Sequence, residues 1–402
     1  MDIIEWIEEF SDGYIWFAKR LSGNDTLANG SHQAGPYIPK NVFFRLFPSL
    51  ADRRKENPDT YFEMVIDSHP DIRKVRIVWY NNKFRGGTRD EVRITNLGGA
   101  NSPLLDPEST GALVVFAFKK ERSNDAKICH VWICRNEIEE DLIELETGPV
   151  EPGRGRIVWP PEYNFITSLV RAVRANCRLA NNEIPQEWLE QFPSGNDIIK
   201  KVIQMRPEFR QIAVDSRILK RRKCEFELFL SLEEAIELPR IRNGFATIAE
   251  FLEAAQTILQ RRKSRSGRSL ELHMREILIE ENFQEGKDFS YQPKVGGRPD
   301  FLFPNEKAYL NQNFPRENIK MLAVKTTFKD RWRQVTRECP DLQTRYLLTL
   351  QEGVSEDQFR LITEAGIRLV VPEPIISKYK NTIRPDILTL EAFLAEVRLV
   401  QI

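Results

Sequence analysis

Apolar residues recur along this chain in two rhythms, and the change from one to the other divides it. At the amino end Ile3, Ile4, Trp6, Ile7 and Phe10 fall at helical spacing, which predicts an amphipathic helix over residues 1–20. Residues 21–36 are rich in Gly, Ser, Asn and Asp and read as a loop, with Lys19 and Arg20 at its entrance. Tyr37-Ile38-Pro39 leads into a strand or short helix ending near Phe47. From 60 to 135 the apolar runs are short and separated by turn signals: 75–80, 112–118 and 128–134. Strands at that spacing predict a β-barrel or sandwich.

The second half has longer periods. Pro and Gly crowd residues 146–162, a helix-like piece covers 165–179, and Asn181-Asn182-Glu183 is a polar break. A linker near 180–187 follows, separating a first domain, 1–180, from a second, 187–402. Ser194 reads as an N-cap, and 215–238, 248–255 and 264–273 as helices. Short apolar runs at 301–303 and 321–324 read as buried strands. Residues 329–337 lack Pro and Gly and suit a helix. Strand 345–350, helix 355–365 ending at Gly366, and strand 367–372 complete a mixed α/β sheet flanked by helices, and 388–400 closes the chain as a helix.

Composition changes the picture in three places. The 402 residues suffice for two or three full cores. Lys plus Arg equals Asp plus Glu, 59 of each, so a nucleic-acid surface must come from segregated charge. Basic runs at 217–223, 261–265 and 325–337, against an acidic run at 137–141, show that segregation, although such runs are usually solvated faces. Five scattered cysteines without a Cys-x-x-Cys pair predict buried free thiols in a reducing compartment. With neither a signal peptide nor an apolar run near the ~20 residues that span a bilayer, a cytoplasmic protein is expected.

The candidate chemistry lies between Arg298 and Glu338. Asp300 opens one apolar run and Lys325 closes the next. A carboxylate and an ammonium on adjacent buried strands are costly to desolvate unless put to use. The use is phosphodiester hydrolysis, or else the two form a structural ion pair. Pro299-Asp300 followed by Lys325 resembles the Pro-Asp…(Asp/Glu)-x-Lys site of restriction-type nucleases, with Ala323 where the second acid is expected. Glu338, thirteen residues after Lys325, is the replacement on the expected helix.

Lys325-Thr326-Thr327, Lys329-Asp330-Arg331-Trp332-Arg333-Gln334, and upstream Lys19-Arg20-Leu21-Ser22, Gly35, Tyr37-Ile38-Pro39 and Asp106-Pro107-Glu108 resemble the EcoRII family of restriction endonucleases. The resemblance covers nearly the whole chain. It implies a B3-like DNA-binding pseudobarrel followed by a restriction-endonuclease-like catalytic domain. Asp300 and Glu338 would hold Mg²⁺, Lys325 would contact the scissile phosphate, and Glu271 would lie beside the metal. Lys329, Asp330 and Arg331 would read outer G·C pairs, and Arg222 with Phe226, four residues apart on one helix face, would receive flipped central bases. Phe226 stands where the family has tyrosine, and the alternative for it is a core position.

In the first domain the resemblance points to His32, Tyr37, Arg89, Glu91 and Arg93 as DNA contacts. On composition alone the segment 83–96 reads more readily as a solvated hairpin, and Gly87 and Val92 occupy places where the family is basic. The expected function is a Mg²⁺-dependent endonuclease, a homodimer cutting duplex DNA at a CC(A/T)GG-like site. A second copy of the site binds the first domain as effector, and that domain covers the catalytic cleft until then. The alternative is a sequence-specific DNA-binding regulator with a decayed nuclease domain. No glycine-rich loop after a strand supports a methyltransferase.

Overall fold

The computed structural model describes residues 1–30, 35–119, 124–153, 157–159, 177–329 and 331–400. His32, Asp330 and residues 165–176 of the helix-like piece lie outside them. Helix α1 (Ile3–Ser11) starts at a capping box, in which the Asp2 carboxylate accepts from the Ile4 and Glu5 amides while Glu5 accepts from the Asp2 amide. The helix does not run on to residue 20 as its periodicity suggested. Gly13 adopts φ 74°, and Tyr14–Arg20 becomes strand β1, buried on both faces. Such a run has no polar side to betray its period.

Strands β2 (Tyr37–Ile38), β3 (Asp59–Ile66), β4 (Asp71–Tyr80), β5 (Glu91–Thr95), β6 (Leu113–Lys119), β7 (Ile128–Ile133) and β8 (Ile157–Trp159) join β1 in one sheet. Its order is β2-β5-β4-β3-β7-β6-β1-β8. Neighbours are antiparallel except β3 and β7. One face packs around Phe43, Phe47 and Leu46 of helix α2 (Lys40–Leu46) and its flank. The other packs Trp16 and Trp132 against Trp6 of α1 and Ile143 of helix α3 (Glu137–Thr147).

Beyond the short helix α4 (Gln186–Glu190), α5 (Gly195–Met205) packs on two long helices, α6 (Val214–Asn243) and α7 (Ile248–Glu280). The two helices expected over 248–255 and 264–273 are one continuous α7. Ion pairs zip this hairpin together: Arg221–Glu280 at 2.7 Å, Arg265–Glu225 at 3.1 Å and Arg261–Glu237 at 2.8 Å. Much of the basic charge at 217–223 and 261–265 is therefore neutralised within the fold. Cys177 and Cys224 form a disulfide, contrary to the expectation of free thiols throughout; Cys129, Cys134 and Cys339 are free and buried. The bridge sits with Ile184, Ile198, Val202 and Leu228, so residues 177–179 pack with the helices of the second half.

The second sheet has the order β13-β12-β11-β10-β9, from β9 (Ser290–Tyr291), β10 (Phe301–Phe303), β11 (Lys320–Lys325), β12 (Arg345–Thr349) and β13 (Ile367–Val370). Pairing is antiparallel from β9 to β11 and parallel from β11 to β13. The parallel strands are covered on both faces, which explains their unbroken apolar runs. Helix α8 (Glu306–Leu310) follows β10, α9 (Trp332–Val335) follows β11, and α10 (Glu356–Glu364) links β12 to β13. Helices α11 (Glu373–Ile376) and α12 (Leu390–Arg398) complete the chain.

Candidate functional site

Asp300 and Lys325 meet because β10 and β11 are hydrogen-bonded neighbours, paired Phe301 to Leu322. The Asp300 carboxylate accepts from the Val324 amide at 2.6 Å and from Lys325 Nζ at 3.3 Å. Ala323 is fully buried, on the same side of β11 as Lys325 by strand alternation. Glu271 reaches the site from α7, where its carboxylate accepts from Gln292 Nε2 at 3.1 Å and from the Tyr291 hydroxyl at 3.5 Å.

Glu338 arrives differently from the expectation. Among the described residues of 329–337 only the single turn α9 is helical, with Trp332 and Val335 buried in the core, and a tight turn follows in which the Glu338 amide donates to the Val335 carbonyl at 3.1 Å. Glu338 therefore sits on a turn, next to Cys339 at φ 46°.

The four groups act on one another's ionisation. Burial pushes the Glu271 carboxyl up to about 7; Asp300 raises it further while Lys325 and the Gln292 hydrogen bond oppose. Burial likewise pushes Glu338 up to about 7, opposed by Lys325 and reinforced by Asp300 and Glu271. Three carboxylates sharing one ammonium leave an excess of negative charge in a partly desolvated pocket, a setting that favours a cation. One Glu338 oxygen, Oε2, is buried without a hydrogen-bond partner. Among the described residues no three His, Cys, Asp or Glu side chains are drawn close enough to hold an ion by themselves. Mg²⁺ is ordinarily held by one or two carboxylates with waters and substrate phosphate, so the oxygen-only set of Asp300 and Glu338 fits it.

The DNA-contact candidates fall into two groups. Tyr37 and Arg93 are register partners across β2 and β5, and Glu91 lies two residues away on the same face. Arg93 donates to Glu91 at 3.3 Å and to the Gly35 carbonyl at 3.1 Å, while Arg89 lies over the Tyr80 ring at 5.2 Å. These four form one surface at the edge of the first sheet. Val92, by contrast, is core.

In the second half, Arg222 is buried and meets Glu151 at 3.4 Å, and Arg265 lies over the Phe226 ring at 4.7 Å. Phe226 is half-buried, not sealed in the core. Arg331 pairs with Glu137 at 2.9 Å, and the Lys329 carbonyl accepts from Gln358 at 2.8 Å. Glu151 also pairs with Arg265 at 2.7 Å, and Asp141 with Lys263 at 3.1 Å. Acids at 137–151 thus sit on the arginines and lysine of the second half.

Residues 11–162 match the family model described as "Restriction endonuclease EcoRII, N-terminal", and residues 229–394 the one described as "EcoRII C terminal". The chain is 40% identical over 400 residues to the type II restriction enzyme EcoRII of Escherichia coli, covering 98% of this chain and 96% of that one. This chain belongs to the EcoRII family. It is a type II restriction endonuclease like EcoRII, a DNA-cleaving hydrolase, and its two domains are those of that family. Type II restriction enzyme SsoII of Shigella sonnei is 31% identical over 144 residues, 34% of this chain and 46% of its own. Among solved structures, metal-depleted Ecl18kI in complex with uncleaved, modified DNA aligns at TM-score 0.44 and 19% identity over 56% of this chain and 85% of that one. A PspGI–substrate DNA complex aligns at 0.43 and 15% over 52% and 94%. Among the described residues no helix is long and apolar enough to cross a membrane.

Within this EcoRII-family site, several residues carried no sequence signal. Gln292 and Glu151 are isolated polar residues in irregular stretches and Tyr291 ends the two-residue strand β9, and only the folded chain brings them to Glu271 or Arg222. Gly297 left a faint trace in the Gly296-Gly297 pair. At φ 90° it lies so close to the Glu338 Cα that an added Cβ would come within 3.0 Å.

Proposed function

We propose that the chain hydrolyses duplex DNA as a Mg²⁺-dependent homodimer at a short CC(A/T)GG-like site, and that its first domain, 1–180, binds a second copy of that site as effector. The observation that carries the catalytic half is the 3.3 Å contact between Lys325 and Asp300, with Glu338 and Glu271 near enough for both groups to act on their ionisation. Asp300 and Glu338 would hold the Mg²⁺, which when bound supplies positive charge for the scissile phosphate and lowers the pKa of water. Lys325 contacts a phosphate oxygen and orients the attacking water. It needs no covalent intermediate. Glu271 steadies the second side of the site through its own carboxylate.

Recognition falls to Lys329, Asp330 and Arg331, which directly follow the strand bearing Lys325. An Arg331 fork suits guanine O6 and N7, and Asp330 suits a cytosine amino group. Arg222 and Phe226 stack the extruded central bases, whose release costs a few kcal/mol. His32, Tyr37, Arg89, Glu91 and Arg93 serve the effector copy. Before that copy binds, the first domain covers the cleft. This reading draws support from Glu151 on Arg222 and Arg265, and from Glu137 on Arg331.

The test is conversion of supercoiled plasmid carrying two CC(A/T)GG sites to linear product, with and without Mg²⁺. Cleavage that requires the metal and maps to those sites is expected. A DNA-binding protein with a decayed nuclease domain would shift the plasmid in a gel and leave it intact. Cleavage at unrelated sequences would remove the borrowed specificity.

A further inference from the structure

Glu338 has an unusual problem of support. Asp300 immediately precedes β10, Lys325 ends the paired β11 and Glu271 stands on a 33-residue helix, whereas Glu338 stands on a turn. A carboxylate on a turn is well aimed only if its backbone is held from elsewhere.

The holding group is Arg345, the buried first residue of β12. Its Nε donates to the Glu338 carbonyl at 3.0 Å and its second terminal nitrogen to the Cys339 carbonyl at 3.1 Å. Its own amide donates to the Gly366 carbonyl at 2.8 Å, and β12 pairs with β11 so that Thr349 stands opposite Lys325. One guanidinium therefore ties the turn that bears Glu338 to the sheet that bears Lys325.

Backbone conformation points the same way. Five described non-glycine residues have positive φ, and three are asparagines, which tolerate it. The other two are Gln292, whose side chain donates to Glu271 and whose amide donates to the Asp300 carbonyl at 2.9 Å, and Cys339, which follows Glu338. Residues held in that region persist only where their surroundings over-determine them. A buried guanidinium facing carbonyls carries a desolvation cost that an apolar residue would avoid. Both features are costs to stability, and both converge on the backbone of one carboxylate.

We propose that Arg345 is a positioning residue: with Cys339 it fixes the turn so that Glu338 is aimed at the ion-binding position between Asp300 and Lys325. The proposal rests on the reading of Glu338 as a metal-holding carboxylate. Arg345 itself touches neither DNA nor metal.

The experiment compares Arg345→Lys, Glu338→Ala and the double variant in the full chain. Three quantities are read: Mn²⁺ binding to the protein–DNA complex by electron paramagnetic resonance, the Mg²⁺ concentration for half-maximal cleavage, and metal-free DNA affinity. Arg345→Lys keeps charge and stem but loses the two-point hold. It is expected to weaken Mn²⁺ binding and raise the Mg²⁺ requirement about 10-fold, as loss of a supporting residue behind a metal ligand usually does, with DNA affinity unchanged. In the Glu338→Ala background the same change is expected to add nothing, because the group it aims is gone. An undiminished effect there, or an unmoved metal requirement in the single variant, overturns the proposal.

If Arg345→Lys does not fold, Cys339→Gly replaces it, since glycine accepts φ 46° without strain and frees the turn. A weaker Mn²⁺ affinity is again expected, and an unchanged one overturns the clamp. If Glu338→Ala alone binds Mn²⁺ like the parent, the metal-ligand reading of Glu338 fails instead, and the clamp falls with it.

Discussion

At the residue scale the chemistry depends on an imbalance: three carboxylates face one ammonium. Lys325→Ala removes the cation that, among the described residues, pairs with Asp300. Loss of a preorganised group aimed at a developing charge costs about 10²–10³ in rate. Cleavage should fall by at least that factor while specific DNA binding, read by gel shift, is retained; near-normal nicking would remove Lys325 from the mechanism. The same imbalance has a pH signature. Glu271 and Glu338 are both raised from an ordinary 4.5 to about 7, chiefly by burial. A carboxyl raised in the folded state adds stability below its unfolded pKa, and that contribution disappears as pH rises through the folded value. The metal-free protein should therefore lose stability between about pH 4.5 and 7. If Asp300 and Glu338 hold Mg²⁺ as proposed, the ion favours deprotonated Glu338 and relieves its repulsion with Asp300. Its upward shift of Tm should be larger at pH 8 than at pH 6, and equal shifts would place the ion elsewhere.

At the element scale, legibility followed how local each signal was. The strands bearing Asp300 and Lys325 were readable because both are short apolar runs ended by charge. The strand at 14–20 was not, because a doubly buried run carries no period and the chain switches from helix to strand only at Gly13. The seat of Glu338 was misread for a related reason. Absence of Pro and Gly permits a helix over 329–337, but among the described residues only Trp332–Val335 is helical, and the left-handed turn at Cys339 beyond it has no glycine to announce it. The spacing of Lys325 and Glu338 was still a sound guide, since what matters is that the chain returns. Cysteine counting failed because Cys177 and Cys224 are 47 residues apart and only the packing of 177–179 on α6 joins them. Closing a loop of that length stabilises by roughly 4 kcal/mol in the chain-entropy account. Cys177→Ser should lower unfolding free energy by about 2–4 kcal/mol in denaturant titration without a reductant. No difference from the parent would mean that the thiols are not joined in solution.

At the scale of the whole molecule the question is how the two halves are held against each other. One set of contacts is ionic: Glu151 with Arg222 and Arg265, Asp141 with Lys263, Glu137 with Arg331. The other set is steric. The Gly23 amide donates to the Glu352 carbonyl at 2.5 Å, and Glu108 hydrogen-bonds Ser355. A Cβ added to Gly23 would run into the carbonyl oxygen of Lys378, a backbone atom of the other half. Gly23 needs no left-handed conformation, so alanine fits its own backbone and clashes only across the seam. Gly23→Ala is thus a wedge, and Glu151→Gln a release of charge, and neither alters a proposed DNA contact. If docking of the halves restrains cleavage, each variant should raise the rate on a plasmid with a single site. Weakening the seam by 1–2 kcal/mol corresponds to about 5- to 30-fold. Both gains should persist as salt is raised, because the Glu151, Arg222 and Arg265 side chains are buried and pairs so placed are little screened. Single-site rates at the parent's level in both folded variants would mean that this seam does not restrain the enzyme.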